Sequence, residues 1–300
     1  MDKGALELAS GREPPFLEAL ASLTVVIKED VVPDETLNVP GIDPNTTTAA
    51  RLYSLLINPN EGQFLPIDVT VCNALRTACP EIGEVAQDNR VFVRRATRSG
   101  LPADENTHEV AHKLDPSVRV IYDDRDPMTV SHGEHLLQGA KNVAFLGYDA
   151  REPEKILSDP KTRELINFDE PVGIMMASIM QLFGEETDTH DVVRRFLEPL
   201  PSGSYLALSH FLVPGKTPPL DGPPQDRVDA LLAVMAGAGE PLIFRTREDI
   251  ERYFAGLELV QPYEGSEQND LVWVNRWGAK DPARAFSSGA WLLAGVGRKP

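Results

Sequence analysis

Ser99 to Asp126 reads SGLPADENTHEVAHKLDPSVRVIYDDRD, and this stretch decides the fold. A small turn, Ser99-Gly100-Leu101-Pro102, opens it. A helical run follows, roughly Asn106 to Leu114. An apolar strand, Val118 to Tyr122, then ends on Asp123, Asp124 and Asp126. Turn, helix and acid-tipped strand make half of a nucleotide-binding βαβ unit. The glycine lets backbone approach a ligand, and the helix N-terminus offers N–H groups with no partner inside the helix. An acid about 20 residues past the glycine can accept both hydroxyls of a ribose. The strand that should precede the turn is not legible. Val91-Phe92-Val93-Arg94-Arg95-Ala96-Thr97-Arg98 reads as the end of a basic helix, with Val91-Phe92-Val93 as a makeshift strand the alternative.

The same stretch carries a competing signal. His108-Glu109-Val110-Ala111-His112 is a literal H-E-x-x-H, in which two imidazoles four residues apart share a helix face and the Glu serves as general base of a zinc hydrolase. No H-x-x-G-x-x-H continuation follows, and Pro116 ends the helix one turn after His112. Glu134 lies at a tolerable distance for a third ligand, but past a strand. A coincidental match on an exposed helix is the competing explanation.

Downstream, short apolar runs alternate with helices. Val118–Tyr122, Val143–Gly147, Val172–Ala177 and Tyr205–Ser209 read as strands. Pro127–Leu137, Pro153–Ile166 and Thr189–Leu197 read as helices between them. Continuous apolar strands separated by helices indicate a parallel sheet covered on both faces. Pro224–Ala236 and Thr246–Ala255 are further helices. Leu257–Val260, Leu271–Val274 and Trp291–Val296 are late strands, the last two an antiparallel pair. Upstream, Thr47 to Leu56, Pro66 to Cys79 and Glu81 to Arg98 read as cap helices, the last two broken at Pro80. The division expected is an N-terminal extension or linker over 1–45, a helical cap over 46–98 and a Rossmann-like domain over 99–300. Within the extension, Pro14 to Leu23 fits a short amphipathic helix and Val32 to Asn45 a linker. Pro214 to Pro224 is Pro-rich and reads as a mobile loop after a strand end.

The 300 residues carry a net charge of −17, which opposes a nucleic-acid or anionic-membrane surface, because neutralising phosphates takes clustered Lys and Arg. No apolar run approaches the ~20 residues of a membrane span. The N-terminus lacks a signal-peptide core. Cys72 and Cys79 are separated by about 10 Å of helix rise, too far for a disulfide. A reducing, cytoplasmic compartment is the expectation. Expected partners are a small-molecule substrate, with no nucleic acid and no membrane.

Taken together, these segments resemble the S-adenosylmethionine-dependent methyltransferases known simply as S-adenosyl methyltransferases. The resemblance runs from about Ala50 to Pro300. It rests on Ala50-Arg51-Leu52-Tyr53, Asn89-Arg90-Val91-Phe92-Val93-Arg94-Arg95-Ala96, Ser99-Gly100-Leu101-Pro102 and Val120-Ile121-Tyr122-Asp123-Asp124-Arg125-Asp126-Pro127. Tyr148-Asp149-Ala150-Arg151-Glu152-Pro153, Ser204-Tyr205-Leu206-Ala207-Leu208-Ser209-His210 and Gly295-Val296-Gly297-Arg298-Lys299-Pro300 extend it in the same order. It implies an α/β, Rossmann-like, mainly parallel sheet with helices on both faces, a helical N-terminal cap and S-adenosyl-L-methionine as cofactor. Ser99 and Gly100 would sit beside the methionine part of that cofactor. Asp124, or alternatively Asp126, would accept the ribose hydroxyls. Asp149 would accept from the adenine amino group, and Ala150 would supply a backbone contact. His210, after the fifth strand, is the candidate general base, with a surface histidine as the alternative.

Two departures stand out. The family's first strand and its Asp-x-Gly should precede Ser99, but here Arg98 joins Ser99 directly. Its Gly-Gly-Lys-Asp-Asn loop is replaced by Ile57-Asn58-Pro59-Asn60-Glu61. Both fall on the cofactor side, so a non-catalytic methyltransferase-like binding protein is the second reading, and the zinc hydrolase the third.

Overall fold

A computed structural model describes residues 24–27, 42–59, 64–97, 106–214, 216–217, 220–282 and 290–300; for 24–27, 216–217 and 220–221 the description is of backbone alone. In chain order the first elements are strand β1 (Thr24–Ile27) and the cap helices α1 (Ala49–Ile57), α2 (Pro66–Ala78) and α3 (Ile82–Thr97). Helix α4 (Thr107–Leu114) leads to β2 (Val120–Asp123), α5 (Pro127–Leu136) and β3 (Val143–Leu146). Then come α6 (Pro153–Ser158), α7 (Pro160–Leu165), β4 (Gly173–Ala177), α8 (Thr189–Leu197) and β5 (Tyr205–Phe211). The chain closes with β6 (Lys216–Thr217), β7 (Leu220–Asp221), α9 (Gln225–Gly237), α10 (Arg247–Arg252), β8 (Glu258–Leu259), β9 (Val272–Trp273) and β10 (Leu292–Arg298).

One sheet dominates, ordered β3-β2-β1-β4-β5-β10-β8, with β9 also pairing β10. From β3 to β5 every pairing is parallel, and β10 runs antiparallel to β5, β8 and β9. This is the Rossmann-like sheet that the resemblance implies. The antiparallel pairing of β9 with β10 also follows the sequence reading.

The absent first strand is the main correction. Thr24-Val25-Val26-Ile27, assigned by sequence to the N-terminal extension, lies in the middle of the sheet. Val25 is in register with Ile121 of β2 on one side and Ile174 of β4 on the other. Four β-branched residues in a row favour extended backbone. Val91-Phe92-Val93, the alternative strand, lies inside α3. The strand therefore precedes the cap helices in the chain while occupying the central slot between β2 and β4. The Pro14–Leu23 helix lies outside the described residues. The Pro-rich stretch contains a two-stranded ladder, Lys216 with Asp221 and Thr217 with Leu220, rather than only a loop.

Both faces of the sheet are buried. Val120, Tyr122, Met175 and Ala207 face one core together with Leu52, Leu75 and Phe92 of the cap. Ile121, Ile174, Met176, Leu206 and Leu208 face a second core with Ile156, Phe196 and Tyr253. That two-sided burial is why the strands read as unbroken apolar runs. Cap and sheet also share polar links: Ser209 Oγ donates to Asn89 Oδ1 at 2.6 Å, and Asn89 Nδ2 donates to the Tyr53 hydroxyl at 3.2 Å. No helix among the described residues is long and apolar enough to cross a membrane.

Candidate functional site

The strand order reverses between β1 and β4. Ligands in such sheets bind outside the carboxyl ends of the strands at that point. An open cleft lies there. Asp123 to Asp126 from the end of β2 and Tyr148, Asp149 and Ala150 from the loop after β3 line it. The segment after β4 adds Ile179, Leu182 and Phe183. Thr48 to Ala50, at the start of α1, and Glu240 close it from the cap side.

The acids at the β2 tip do different work. Asp126 caps α5: its Oδ1 accepts from the backbone N–H groups of Met128 and Thr129, both at 2.9 Å. Its Oδ2 accepts from the Thr48 hydroxyl at 3.0 Å and lies 3.5 Å from Arg51 Nε. Both oxygens of Asp126 are therefore engaged in structure, as an N-cap and a cap-to-sheet tie. Asp124 is buried, and its Oδ1 accepts from the Asp126 N–H at 2.7 Å; its Oδ2 has no partner among the described residues. Asp123 is fully buried; its Oδ1 accepts from the Tyr148 N–H at 2.9 Å, and its Oδ2 has no partner among the described residues. Burial pushes Asp124 up to about 8, helped by the neighbouring charges of Asp126 and Asp123 and opposed by the Asp126 N–H and Arg125. Burial likewise pushes Asp123 up to about 7, against its Tyr148 hydrogen bond.

Asp149 sits across the cleft. Arg151 grips its carboxylate from Nε, at 2.9 and 3.1 Å, and from Nη2 at 2.5 Å, and Arg125 lies 3.8 Å away. Burial would raise this acid, but the Arg151 hydrogen bonds and the two guanidinium charges outweigh it and hold it below the usual carboxylate range. Ala150 is buried beside it. Ser99 and Gly100 lie outside the described residues.

Two sequence candidates are placed elsewhere. His210 is fully buried in β5, does not line the cleft, and stacks on Tyr253 at 5.8 Å. Its Nδ1 pairs with the Phe211 carbonyl at 2.9 Å, and burial pushes the imidazole down to about 3, so it stays neutral. It follows strand alternation into the second core, while its neighbour Ser209 faces the cap. The H-E-x-x-H residues are separated by their partners. His108 Nδ1 pairs with the Tyr122 hydroxyl at 2.9 Å, His112 Nε2 with the Val118 carbonyl at 2.8 Å, and Glu109 Oε2 accepts from the Asn106 N–H at 2.7 Å. The motif thus fastens α4 to the sheet and caps it. Among the described residues no group of three His, Cys, Asp or Glu can hold a metal ion. His112→Ala is expected to lower stability by about 1 kcal/mol, measured by urea denaturation. Atomic emission on purified protein is expected to find no stoichiometric zinc; a one-to-one content would restore the hydrolase reading.

Sequence reasoning assigned no role to Arg51 and Glu240. Arg51 is almost wholly buried, 3.5 Å from both Asp68 and Asp126, and Nη2 donates to the Thr46 carbonyl at 2.7 Å. It locks α1 and α2 to the acidic tip. Glu240 accepts from the Ala49 N–H at 3.4 Å and lies 3.8 Å from Arg125. The only sequence signal was a charged residue inside an apolar helix, Ala50-Arg51-Leu52.

This geometry defines a Rossmann-like methyltransferase fold with a helical cap. A family model for S-adenosyl methyltransferases matches residues 35–300, and the chain belongs to that family. It is similar to a protein from Thermobifida fusca YX that is provisionally assigned as a methyltransferase. Identity is 30%, coverage is 88% of this chain and 99% of that one, and the TM-score is 0.73. A DUF574 family protein from Streptomyces avermitilis MA-4680 is similar at 28% identity, covering 86% of this chain and 99% of that one, with TM-score 0.72. No curated protein matches the chain.

Proposed function

We propose that the chain binds S-adenosylmethionine in this cleft and positions it for methyl transfer to a small-molecule acceptor. The observation that carries the reading is the acidic tip of β2 lining the cleft: Asp123 leaves a buried Oδ2 without a partner among the described residues, and Asp124 spends only its Oδ1, on the Asp126 N–H. A buried acceptor left unpaired costs about 1–3 kcal/mol, and vicinal hydroxyls supply donors of the kind this tip lacks. The cofactor, when bound, supplies a methyl group on a sulfonium. Asp124 accepts the ribose hydroxyls and fixes the register, Asp123 holds the Tyr148 backbone, and Ala150 lies against the adenine. Asp149, already gripped by Arg151, keeps lone-pair capacity for the adenine amino group. Positioning supplies most of the rate in an in-line displacement of this kind.

Ultraviolet cross-linking of methyl-tritiated S-adenosylmethionine, followed by peptide mapping, tests the placement. Label is expected on the peptide containing Tyr148 to Arg151. Label confined to other peptides overturns it.

The titration of Asp124 gives a signed expectation. Hydroxyl donors favour the ionised carboxylate, so the bound state holds its proton less tightly than the free state, whose value is about 8. Affinity is therefore expected to rise from pH 6 to pH 8 and level off above, with proton uptake by buffer at the lower end. The expected gain is at most about tenfold per pH unit. Calorimetric titrations in buffers of different ionisation enthalpy measure both effects, and Asp124→Asn is expected to flatten the profile.

A further inference from the structure

We propose that a second, apolar cavity beside the cleft receives the methyl acceptor, and that this acceptor is a neutral, mostly apolar small molecule with one hydrogen-bonding polar group. The inference rests on the cleft being the cofactor site. The cavity, half open and about 80 Å³ in volume, lies between the cap and the carboxyl ends of β4 and β5. Leu52 and Leu56 of α1, Val85 of α3, Leu231 of α9 and Phe211 of β5 are among its walls. Ala49 and Leu182 line both this cavity and the cleft, so occupants of the two spaces meet across the same side chains.

The lining chemistry selects the occupant. No charged side chain lines the cavity among the described residues; its polar members are Tyr53, Ser178 and Gln181. A charged acceptor would give up its hydration without gaining a counter-charge. Tyr53 is already committed: its hydroxyl donates to the Ala86 carbonyl at 3.1 Å and accepts from Asn89. Ser178 Oγ lies 3.4 Å from Ser209 Oγ.

Gln181 is different. It is 2% exposed, and its Oε1 is buried with no hydrogen-bond partner among the described residues. Its backbone is held in place, since its carbonyl accepts from the Ile243 N–H at 2.8 Å. A buried amide oxygen left unpaired in an apolar wall is costly, and one polar group on a bound molecule satisfies it. Either end of the amide can face the ligand, so a hydroxyl or a carbonyl both fit. Beside it, Ser178 adopts φ 61°, the left-handed region that a residue with a side chain seldom enters. Such strained positions concentrate at ligand sites.

The test uses three probes of one size, 2-naphthol, naphthalene and 2-naphthoate, titrated by fluorescence against the full chain without cofactor. 2-Naphthol is expected to bind at least tenfold more tightly than 2-naphthoate. Gln181→Leu is expected to weaken 2-naphthol about tenfold, one buried hydrogen bond, while naphthalene binds as tightly or more so. Leu242→Trp, which fills the cavity from a half-buried loop position, is expected to weaken all ring probes at least tenfold. Thermal melting of each variant reports whether it is folded. Equal binding of 2-naphthoate and 2-naphthol overturns the proposal. So does 2-naphthol binding indifferent to Gln181→Leu, whose near-isosteric change keeps the test open should Leu242→Trp fail to fold. Titration of the same wild-type sample with S-adenosylmethionine separates the two readings. 2-Naphthol binding without cofactor binding removes the methyltransferase reading and leaves the pocket. Cofactor binding without 2-naphthol binding does the reverse.

Discussion

Val25→Pro is expected to lower the melting temperature by about 10 °C. Val25 stands in register with Ile121 and with Ile174, so it is flanked by parallel strands on both sides. Proline removes an N–H from that ladder and leaves a carbonyl of a neighbouring strand without its donor. The lost bond, the unsatisfied carbonyl and the ring's steric demand together cost about 3 kcal/mol or more. In a domain this large each kcal/mol moves the melting temperature by roughly 2–4 °C. Circular dichroism melts of the full chain measure the effect. A proline variant melting with the wild type would mean that Thr24–Ile27 is not the central strand, and the sheet would be left with a gap between β2 and β4.

Asp124→Asn is expected to weaken S-adenosylmethionine binding about a hundredfold while stabilising the free protein at alkaline pH. Asparagine keeps an oxygen for the Asp126 N–H, so the local turn survives. It places an amide nitrogen where the hydroxyls need an acceptor, and losing charge-assisted hydrogen bonds worth about 1.5–3 kcal/mol accounts for the factor. The stability effect has the opposite sign. Burial raises the folded-state value of Asp124 from 3.8 to about 8. The stability held by the protonated acid is therefore full below 3.8 and is lost as pH rises towards 8. At pH 9 the wild type buries a carboxylate that the variant does not have, so the variant is expected to melt higher there and to lose that advantage at pH 4. A site that binds by destabilising its own fold is a familiar trade-off. Calorimetry for binding and melts at the two pH values read the two halves separately.

The sheet from β2 to β5 was legible because those strands are covered on both faces and leave unbroken apolar runs. Helix α8 matches its sequence expectation at both ends, since Asp188 is a strong capping residue whose side chain accepts from the Asp191 N–H. The acidic tip of β2 was legible as acids closing an apolar run, and Asp123, Asp124 and Asp126 do line the cleft; that Asp126 is spent on capping α5 was not. The central strand was not: Thr24-Val25-Val26-Ile27 is only four residues long and sits before the cap helices, where the resemblance offers no strand. Its β-branched run was a signal, but local propensity does not say where in a sheet a strand inserts. The H-E-x-x-H match misled in the opposite way. Helical spacing brings His108 and His112 to one face, with rings 5.7 Å apart, yet Tyr122 and the Val118 carbonyl, contributed by the following strand segment, take their nitrogens. His210 could not be placed without knowing which face of β5 it occupies. Gln181 and Ser178 carry no sequence signature, because an unpaired amide and a positive φ are properties of the assembled chain.

The most direct test is titration calorimetry of the full chain with S-adenosylmethionine at pH 8, run beside Asp124→Asn. The expected result is one site with micromolar affinity in the wild type, weakened about a hundredfold in the variant. Absence of binding by a wild-type protein that melts cooperatively would contradict it, and the chain would stand as a methyltransferase fold that has lost its cofactor.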